Sequence, residues 1–239
     1  MSTGSLPLLS RTQRDAASSD HRLVANLAGE HVELLASRAL LWTAQSTLFV
    51  ADVHLGKAAA FRAGGVPVPR GATAADLERL SMLVATTGAC RLVVLGDFLH
   101  AAAGRVPALD RAFVEWRDRH RSLDILLVRG NHDDHAGDPP AAWGIGVVAE
   151  PHALPPFLAC HRPCVPTTGF ALCGHVHPGV WVSGNARESA RLPCFVLGTR
   201  TALLPAFGSF TGMATVTPAP GESVVVIAGQ RLFRLPSAV

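Results

Sequence analysis

Five short apolar runs in this chain each stop on residues that bind metals or move protons. Leu48-Phe49-Val50-Ala51 stops at Asp52-Val53-His54, and Leu92-Val93-Val94-Leu95 stops at Gly96-Asp97. Ile125-Leu126-Leu127-Val128 runs into Gly130-Asn131-His132-Asp133, Phe157-Leu158-Ala159-Cys160 into His161, and Phe170-Ala171-Leu172-Cys173 into Gly174-His175-Val176-His177. Such runs, rich in Val, Leu, Ile and Phe and bounded by turn residues, read as buried strands. In open α/β sheets ligands bind beyond the carboxyl ends of strands, so these five ends are expected to converge on one pocket.

The rest of the chain gives that pocket a frame. Further strands are expected at 31–35, 39–42, 146–149, 180–182, 195–197, 214–217, 224–227 and 231–235. Helices are expected over 74–86, with Leu77, Leu80, Met82, Leu83 and Val84 on an apolar stripe and Asp76, Glu78 and Arg79 outside it, and over 109–121. A short helical turn is expected at 141–144. Strands and helices alternate in the first half and strands dominate the second, which predicts an α/β sheet followed by a second sheet. Residues 1–25 are polar and aperiodic and read as a mobile N-terminal tail, with one domain over 26–239.

Composition narrows the class. Apolar residues make up 49% of the 239, which excludes disorder over most of the chain. No run of about 18 uncharged apolar residues predicts a membrane span. The first twenty residues lack a basic segment leading into an apolar one, so a cytoplasmic protein is expected. Five cysteines are too few for a disulfide scaffold; they read as reduced core thiols, with a zinc knuckle of Cys160, Cys164, Cys173 and Cys194 the less favoured reading. The net charge of +3 permits a polyanionic partner without requiring one, and Lys57 is the sole lysine beside twenty arginines. The arginine bias fits base composition of the gene as well as phosphate contact.

The residue types at the strand ends are those of a dinuclear metal site. A carboxylate can bridge two divalent ions while neutral imidazoles and an amide oxygen fill the remaining positions. Asp52 and His54, two apart in a regular strand, would share a face, and His175 and His177 repeat the spacing. Glycines before Asp97, Asn131 and His175 permit close turns. A lone Asp-x-His or Gly-Asp usually marks an ordinary turn. All five blocks in order, each closing an apolar run, leave that reading little room.

In this order the blocks resemble the calcineurin-like metallophosphoesterase superfamily. The resemblance implies a four-layer α/β sandwich, two mixed β-sheets face to face flanked by helices. It implies that Asp52, His54 and His177 hold one ion, that Asn131, His161 and His175 hold the other, and that Asp97 bridges them. His152 is the alternative to His161. His132 would act at the scissile phosphate, with Asp133 fixing its ring. The stretch from Ala51 to Arg62 with Gly65-Val66-Pro67-Val68-Pro69, and the later Leu204-Pro205-Ala206-Phe207-Gly208-Ser209-Phe210-Thr211-Gly212, resemble the opening and closing signatures of the ligase-associated DNA damage response endonuclease (PdeM) family. That resemblance spans roughly Leu34 to Thr217. It implies metal-dependent hydrolysis of phosphodiester bonds, manganese as the favoured ion, DNA as substrate, and functional association with a DNA ligase, a helicase and a nuclease.

Two ions about 3.5–4 Å apart can clamp a phosphodiester and activate a water. His132 could protonate the leaving oxygen. His100 is a candidate contact to the phosphate or to the ligands, and Lys57 and Arg62 are candidate contacts to nucleic-acid phosphates. The many imidazoles argue against magnesium, leaving manganese, iron, cobalt or zinc. Within the same chemistry the alternatives are a small-molecule diesterase or pyrophosphatase, acting on a cyclic nucleotide or a UDP-diacylglucosamine. A non-catalytic scaffold would be expected to have lost part of this residue set. No helix-turn-helix or zinc finger predicts base readout, so DNA binding should be electrostatic. By general prevalence a homodimer is the commonest assembly of such a domain.

Overall fold

A computed structural model describes residues 21–183 and 189–236. Residues 1–20, most of the expected tail, lie outside the described residues. The strands are β1 (Arg22–Leu27), β2 (Glu30–Leu35), β3 (Ala39–Trp42), β4 (Thr47–Val50), β5 (Arg91–Leu95), β6 (Asp124–Val128), β7 (Gly146–Val148), β8 (His152–Leu154), β9 (Phe157–Cys160), β10 (Phe170–Cys173), β11 (Pro178–Ser183), β12 (Ser189–Leu197), β13 (Thr201–Leu203), β14 (Ala214–Thr215), β15 (Ser223–Ala228) and β16 (Arg231–Arg234). The α-helices are α1 (Lys57–Ala63), α2 (Ala72–Thr87), α3 (Pro107–Arg119) and α4 (Asn131–Ala136), and the turn expected at 141–144 is a short 3-10 helix. None of the described helices is long and apolar enough to cross a membrane.

The strands form two mixed sheets. The first runs in order β1 to β7, antiparallel as far as β4 and parallel from β4 to β7. The second runs β14-β11-β12-β13-β10-β9-β8, with β15 and β16 added at β12. The two sheets lie face to face with flanking helices, the α/β sandwich the sequence predicts. The central strands show why their sequences are apolar throughout. Leu48 and Val50 of β4, with Leu92 and Val94 of β5, pack toward α2 and α3. Phe49, Val93 and Leu95 face the second sheet, where they meet Phe157, Leu172, Phe195 and Val225. A strand covered on both faces cannot alternate apolar with polar. Each fully buried Leu or Phe contributes about 1.5–3 kcal/mol, so these two interfaces dominate the stability.

The differences from the sequence reading have local causes. Residues 22–25 belong to β1 rather than to a tail; Ala25 and Leu27 are buried and Arg22, Val24 and Asn26 exposed, an edge strand with one wet face. On α2, Leu77, Leu80 and Leu83 are buried, whereas Met82 is 60% exposed and Asp76, expected outside, is buried. The helices α1 and α4 and the short strands β8 and β13 were not expected. Trp116 and Trp143 are core residues.

Candidate metal centre

Parallel pairing of β4, β5 and β6 aligns three strand ends, and parallel pairing of β9 and β10 aligns two more across the sandwich. The five ends meet at one edge. Asp52, His54, Asp97 and His161 are each less than 5% exposed there.

The backbone that carries these groups is not regular strand. Asp52, His54, Asp97, His175 and His177 all have positive φ, between 50° and 69°. Left-handed backbone at residues other than glycine costs about 1–3 kcal/mol each and persists where surroundings over-determine it. Here the chain ends are tied across to one another. Asp52 N–H donates to Gly96 O, His54 N–H to Asp97 O, and Leu55 N–H to Phe98 O, at 2.8–3.2 Å. Asp52 and His54 therefore share the site because both sit in this kinked segment, and strand alternation is not the reason.

Two groups that could hold a metal ion contain a carboxylate, each with its donor atoms within 4.8 Å of one another: Asp52, His54 and His177, and Asp97, His161 and His175; His54 also forms a third such group with His100 and His132. In the first, His177 Nε2 lies 3.3 Å from Asp52 Oδ1 and 3.5 Å from His54 Nε2. In the second, His161 Nε2 lies 2.9 Å from Asn131 Oδ1, 3.0 Å from His175 Nδ1 and 3.4 Å from Asp97 Oδ1. Asp97 faces both groups, its Oδ2 lying 3.8 Å from His54 Nε2. His152, the alternative to His161, is on β8 opposite Ala159 and belongs to neither group.

Backbone groups aim these ligands. His161 Nδ1 donates to Leu95 O at 3.1 Å and His177 Nδ1 to Gly212 O at 3.2 Å, which turns each Nε2 toward the site. His175 N–H donates to Asp52 Oδ2 at 2.9 Å, and His132 N–H to Asp97 Oδ1 at 2.9 Å. Burial, with the charge of Lys57 and then the neighbouring imidazoles, pushes His54 down to about 2, so its ring is neutral. Burial pushes Asp97 up, a carboxylate whose charge lacks solvent. The donor set fits a divalent cation: converging lone pairs and an under-solvated carboxylate repel one another until a positive charge stands between them.

Three glycines make room for this convergence. A Cβ on Gly96 would stand 2.2 Å from the His161 ring, and one on Gly130 would stand 2.4 Å from Asp97 N and Oδ1. On Gly174 it would meet Asp52 Oδ2 at 2.8 Å. Gly130 is extended at φ −102° and ψ 174°, so close approach rather than turn geometry requires it.

His132 lies at the open side of the site, its side chain 38% exposed and its Nε2 3.9 Å from Asp97 Oδ2. Its ring is held by His100, not by Asp133. His132 Nδ1 donates to His100 O at 2.8 Å, and the two rings stack at 4.8 Å. Asp133 is fully buried and accepts from Gly130, Phe98 and Leu99 N–H groups, so it ties the ends of β5 and β6 together and does not reach the reacting face. His100 Nδ1 also lies 3.4 Å from His54 Nδ1. Burial first, then Lys57 and His132, pushes His100 down to about 4. Lys57 opens α1 half-buried, its charge felt by Asp97 and Asp52. Arg62 instead points to the carbonyls of Val68 and Pro69, at 3.3 Å each, and braces that loop.

The closing signature proves to be a buttress. Phe207 N–H donates to Ala51 O at 2.7 Å and Gly208 N–H to Asp52 O at 3.1 Å, so this segment runs along the backbone of Asp52. Asp76 holds it in place, accepting from Ser209 N–H and Oγ–H, while Arg79 pairs with Asp76, donates to Phe207 O at 2.8 Å and lies 4.2 Å over the Phe207 ring. The sequence reading placed both residues on a solvated face, and only their i,i+3 spacing hinted at a pair. An Asp76→Ala variant is expected to lose about 1–3 kcal/mol from the unpaired Ser209 and Arg79 groups. It should bind divalent ions about 10-fold more weakly, through a loosened Asp52. Thermal melts with and without added ion separate the two losses, and an unchanged melt would show the contact to be idle.

No family model and no curated protein matches the chain. Among solved structures, the Pseudomonas putida nuclease MPE is 43% identical, with a TM-score of 0.78, over 90% of this chain and 100% of that one. The Escherichia coli phosphoesterase Yfce is 16% identical over 80% of this chain and 99% of that one, with a TM-score of 0.39. Identity at the first level over the whole of a relative, on a sandwich of the metallophosphoesterase type, places this chain in the family of the Pseudomonas putida nuclease MPE.

Proposed function

We propose that the protein is a metal-dependent phosphodiesterase, a DNA endonuclease of DNA repair that uses two divalent ions with manganese the favoured one. The observation that carries this reading is the pair of ligand groups facing opposite oxygens of one carboxylate, Asp97. The printed name of the 43% identical relative, a nuclease, supports the substrate class. Asp52, His54 and His177 would hold one ion and Asn131, His161 and His175 the other, with Asp97 between. When bound, the ions would draw charge from the phosphoryl oxygens and supply a nucleophile at neutral pH.

The chain's own residues do the rest. The left-handed ligand segments fix the donors before substrate arrives, so little reorganisation is needed as charge develops. His132, aimed by His100 O, presents Nε2 at the open side, where it can carry a proton to the leaving oxygen. Lys57 adds a positive charge beside the site that a phosphate can meet. Imidazole donors favour manganese, iron, cobalt or zinc over magnesium.

The test is one matched assay in manganese. Circular single-stranded DNA and circular duplex DNA are compared with cyclic nucleotides and a nucleotide-linked glycolipid. Cleavage of a closed circle, lost with chelator and restored by manganese, is the expected result. Turnover of the glycolipid or cyclic nucleotide alone would overturn the DNA assignment.

A further inference from the structure

Three thiols gather outside the centre just described. Cys160 ends β9 and Cys173 ends β10, and the two are register partners on adjacent parallel strands, so both side chains leave the same face. Chain alternation sets Phe157 and Ala159, with Phe170 and Leu172, toward the other sheet. Cys160, Ala171 and Cys173 form a separate buried cluster against Leu158, Cys164 and Leu203. The loop after β9 returns Cys164 to this cluster, its carbonyl held by Thr201 Oγ–H at 2.7 Å. Cys160 and Cys164 Sγ atoms are 3.3 Å apart, and all three sulfurs lie within 4.8 Å of one another. Cys194 is elsewhere, packed with Val180, Val196, Val224 and Val226, so the four-cysteine knuckle weighed from sequence does not form.

We propose that Cys160, Cys164 and Cys173 form a third metal site, for a thiophilic ion of the Zn²⁺ or Cu⁺ type. Three sulfurs about 2.3 Å from a zinc ion at tetrahedral angles stand about 3.8 Å apart, so adjustments of about 1 Å complete the site. Soft thiolates select zinc or monovalent copper over the harder ions suited to oxygen and imidazole donors. Cys160 and Cys173 are buried while Cys164 is partly exposed, which leaves a way in and an open coordination position. The Glu150 carboxylate accepts from the N–H groups of His161 and Arg162, the residues directly after Cys160, and so lies beside the cluster. Its charge is offset by the Arg162 guanidinium at 2.9 Å, so the three sulfurs carry the site. The third thiol speaks against a simple disulfide pair, which would leave one sulfur stranded.

The location gives the site a consequence. Cys160 precedes His161 directly, and Cys173 stands two residues before His175. An ion here would clamp the ends of β9 and β10 next to the segments that carry His161 and His175. The site stands independently of the nuclease assignment, since a thiolate clamp would serve any chemistry at that edge.

The full-length protein, purified under reducing conditions, is titrated with Cd²⁺ while thiolate-to-metal absorption in the ultraviolet is followed. Histidine and carboxylate ligands give no such band. One equivalent is expected to produce it in the wild type and in Asp97→Ala alike, and Cys164→Ser is expected to lose it while keeping the native circular dichroism. Elemental analysis of the purified wild type should show one equivalent of zinc or copper that Cys164→Ser lacks, and the element found distinguishes the two ions. No thiolate band at saturating Cd²⁺, or a Cys160–Cys164 disulfide in peptides from freshly isolated protein, would overturn the proposal.

Discussion

An Asp97→Ala protein is expected to remain folded and to lose at least about 10³-fold in phosphodiesterase turnover. Both effects follow from the same geometry. Asp97 is a carboxylate whose two oxygens face the two ligand groups, Oδ1 toward His161 and Oδ2 toward His54. Without it, each group keeps its imidazoles but the positive charges they would hold are no longer offset by a shared anion. The cost to the metal-free fold is small. Burial already disfavours the Asp97 charge, so its removal relieves that burden while leaving the His132 N–H unpaired. The stabilisation that bound ions give a native state should shrink instead. The manganese-dependent rise in Tm of the wild type should therefore be largely absent in the variant, while the two melts in chelator lie within a few degrees. Near-normal hydrolysis of bis-p-nitrophenyl phosphate by folded Asp97→Ala would end the bridging role.

Much of this centre could be read in the sequence because each ligand block closes an apolar strand, and strand ends in parallel order must lie side by side. What could not be read depends on backbone atoms and long-range contacts. The sequence left His161 and His152 side by side as candidates; β8, a three-residue strand too short to announce itself, carries His152 away from both groups. Asp133 does not hold the His132 ring because of where Gly130-Asn131-His132-Asp133 lies. It opens α4, where a carboxylate at the third position caps the helix and cannot also orient the preceding ring. Asn, His and Asp are weak helix formers, so α4 had no signal in propensity. The carbonyls of Leu95, His100 and Gly212, which set the ring orientations of His161, His132 and His177, belong to residues whose side chains say nothing of that task. Asp76 looked like a solvated helix residue because its partners, Ser209 and the Phe207 segment, lie over 130 residues away.

A single methyl group at Gly130 should disable most of the centre's activity without removing any of its side chains. The Gly130 backbone is extended and acceptable to any L-residue, so Gly130→Ala adds no dihedral strain. Its Cβ would nevertheless stand 2.4 Å from both Asp97 N and Asp97 Oδ1, and the first of these is backbone that cannot rotate away. Either β6 withdraws from β5, or Asp97 turns out of its position between the two ligand groups. Overpacking of this kind costs about 1–3 kcal/mol, or about 2–4 °C in Tm for each kcal/mol in a chain of this size. Turnover is expected to fall at least about 10²-fold, since small misplacements of a reacting group carry penalties of that order. Gly88→Ala is the matched control. Gly88 has φ +66° with nothing within 4 Å of a new Cβ, so that variant should pay about 1 kcal/mol of backbone strain and keep its activity. Equal stability losses with activity lost only at Gly130 would tie the effect to the Asp97 approach. Full activity in Gly130→Ala would mean that this carboxylate need not stand where the structure puts it.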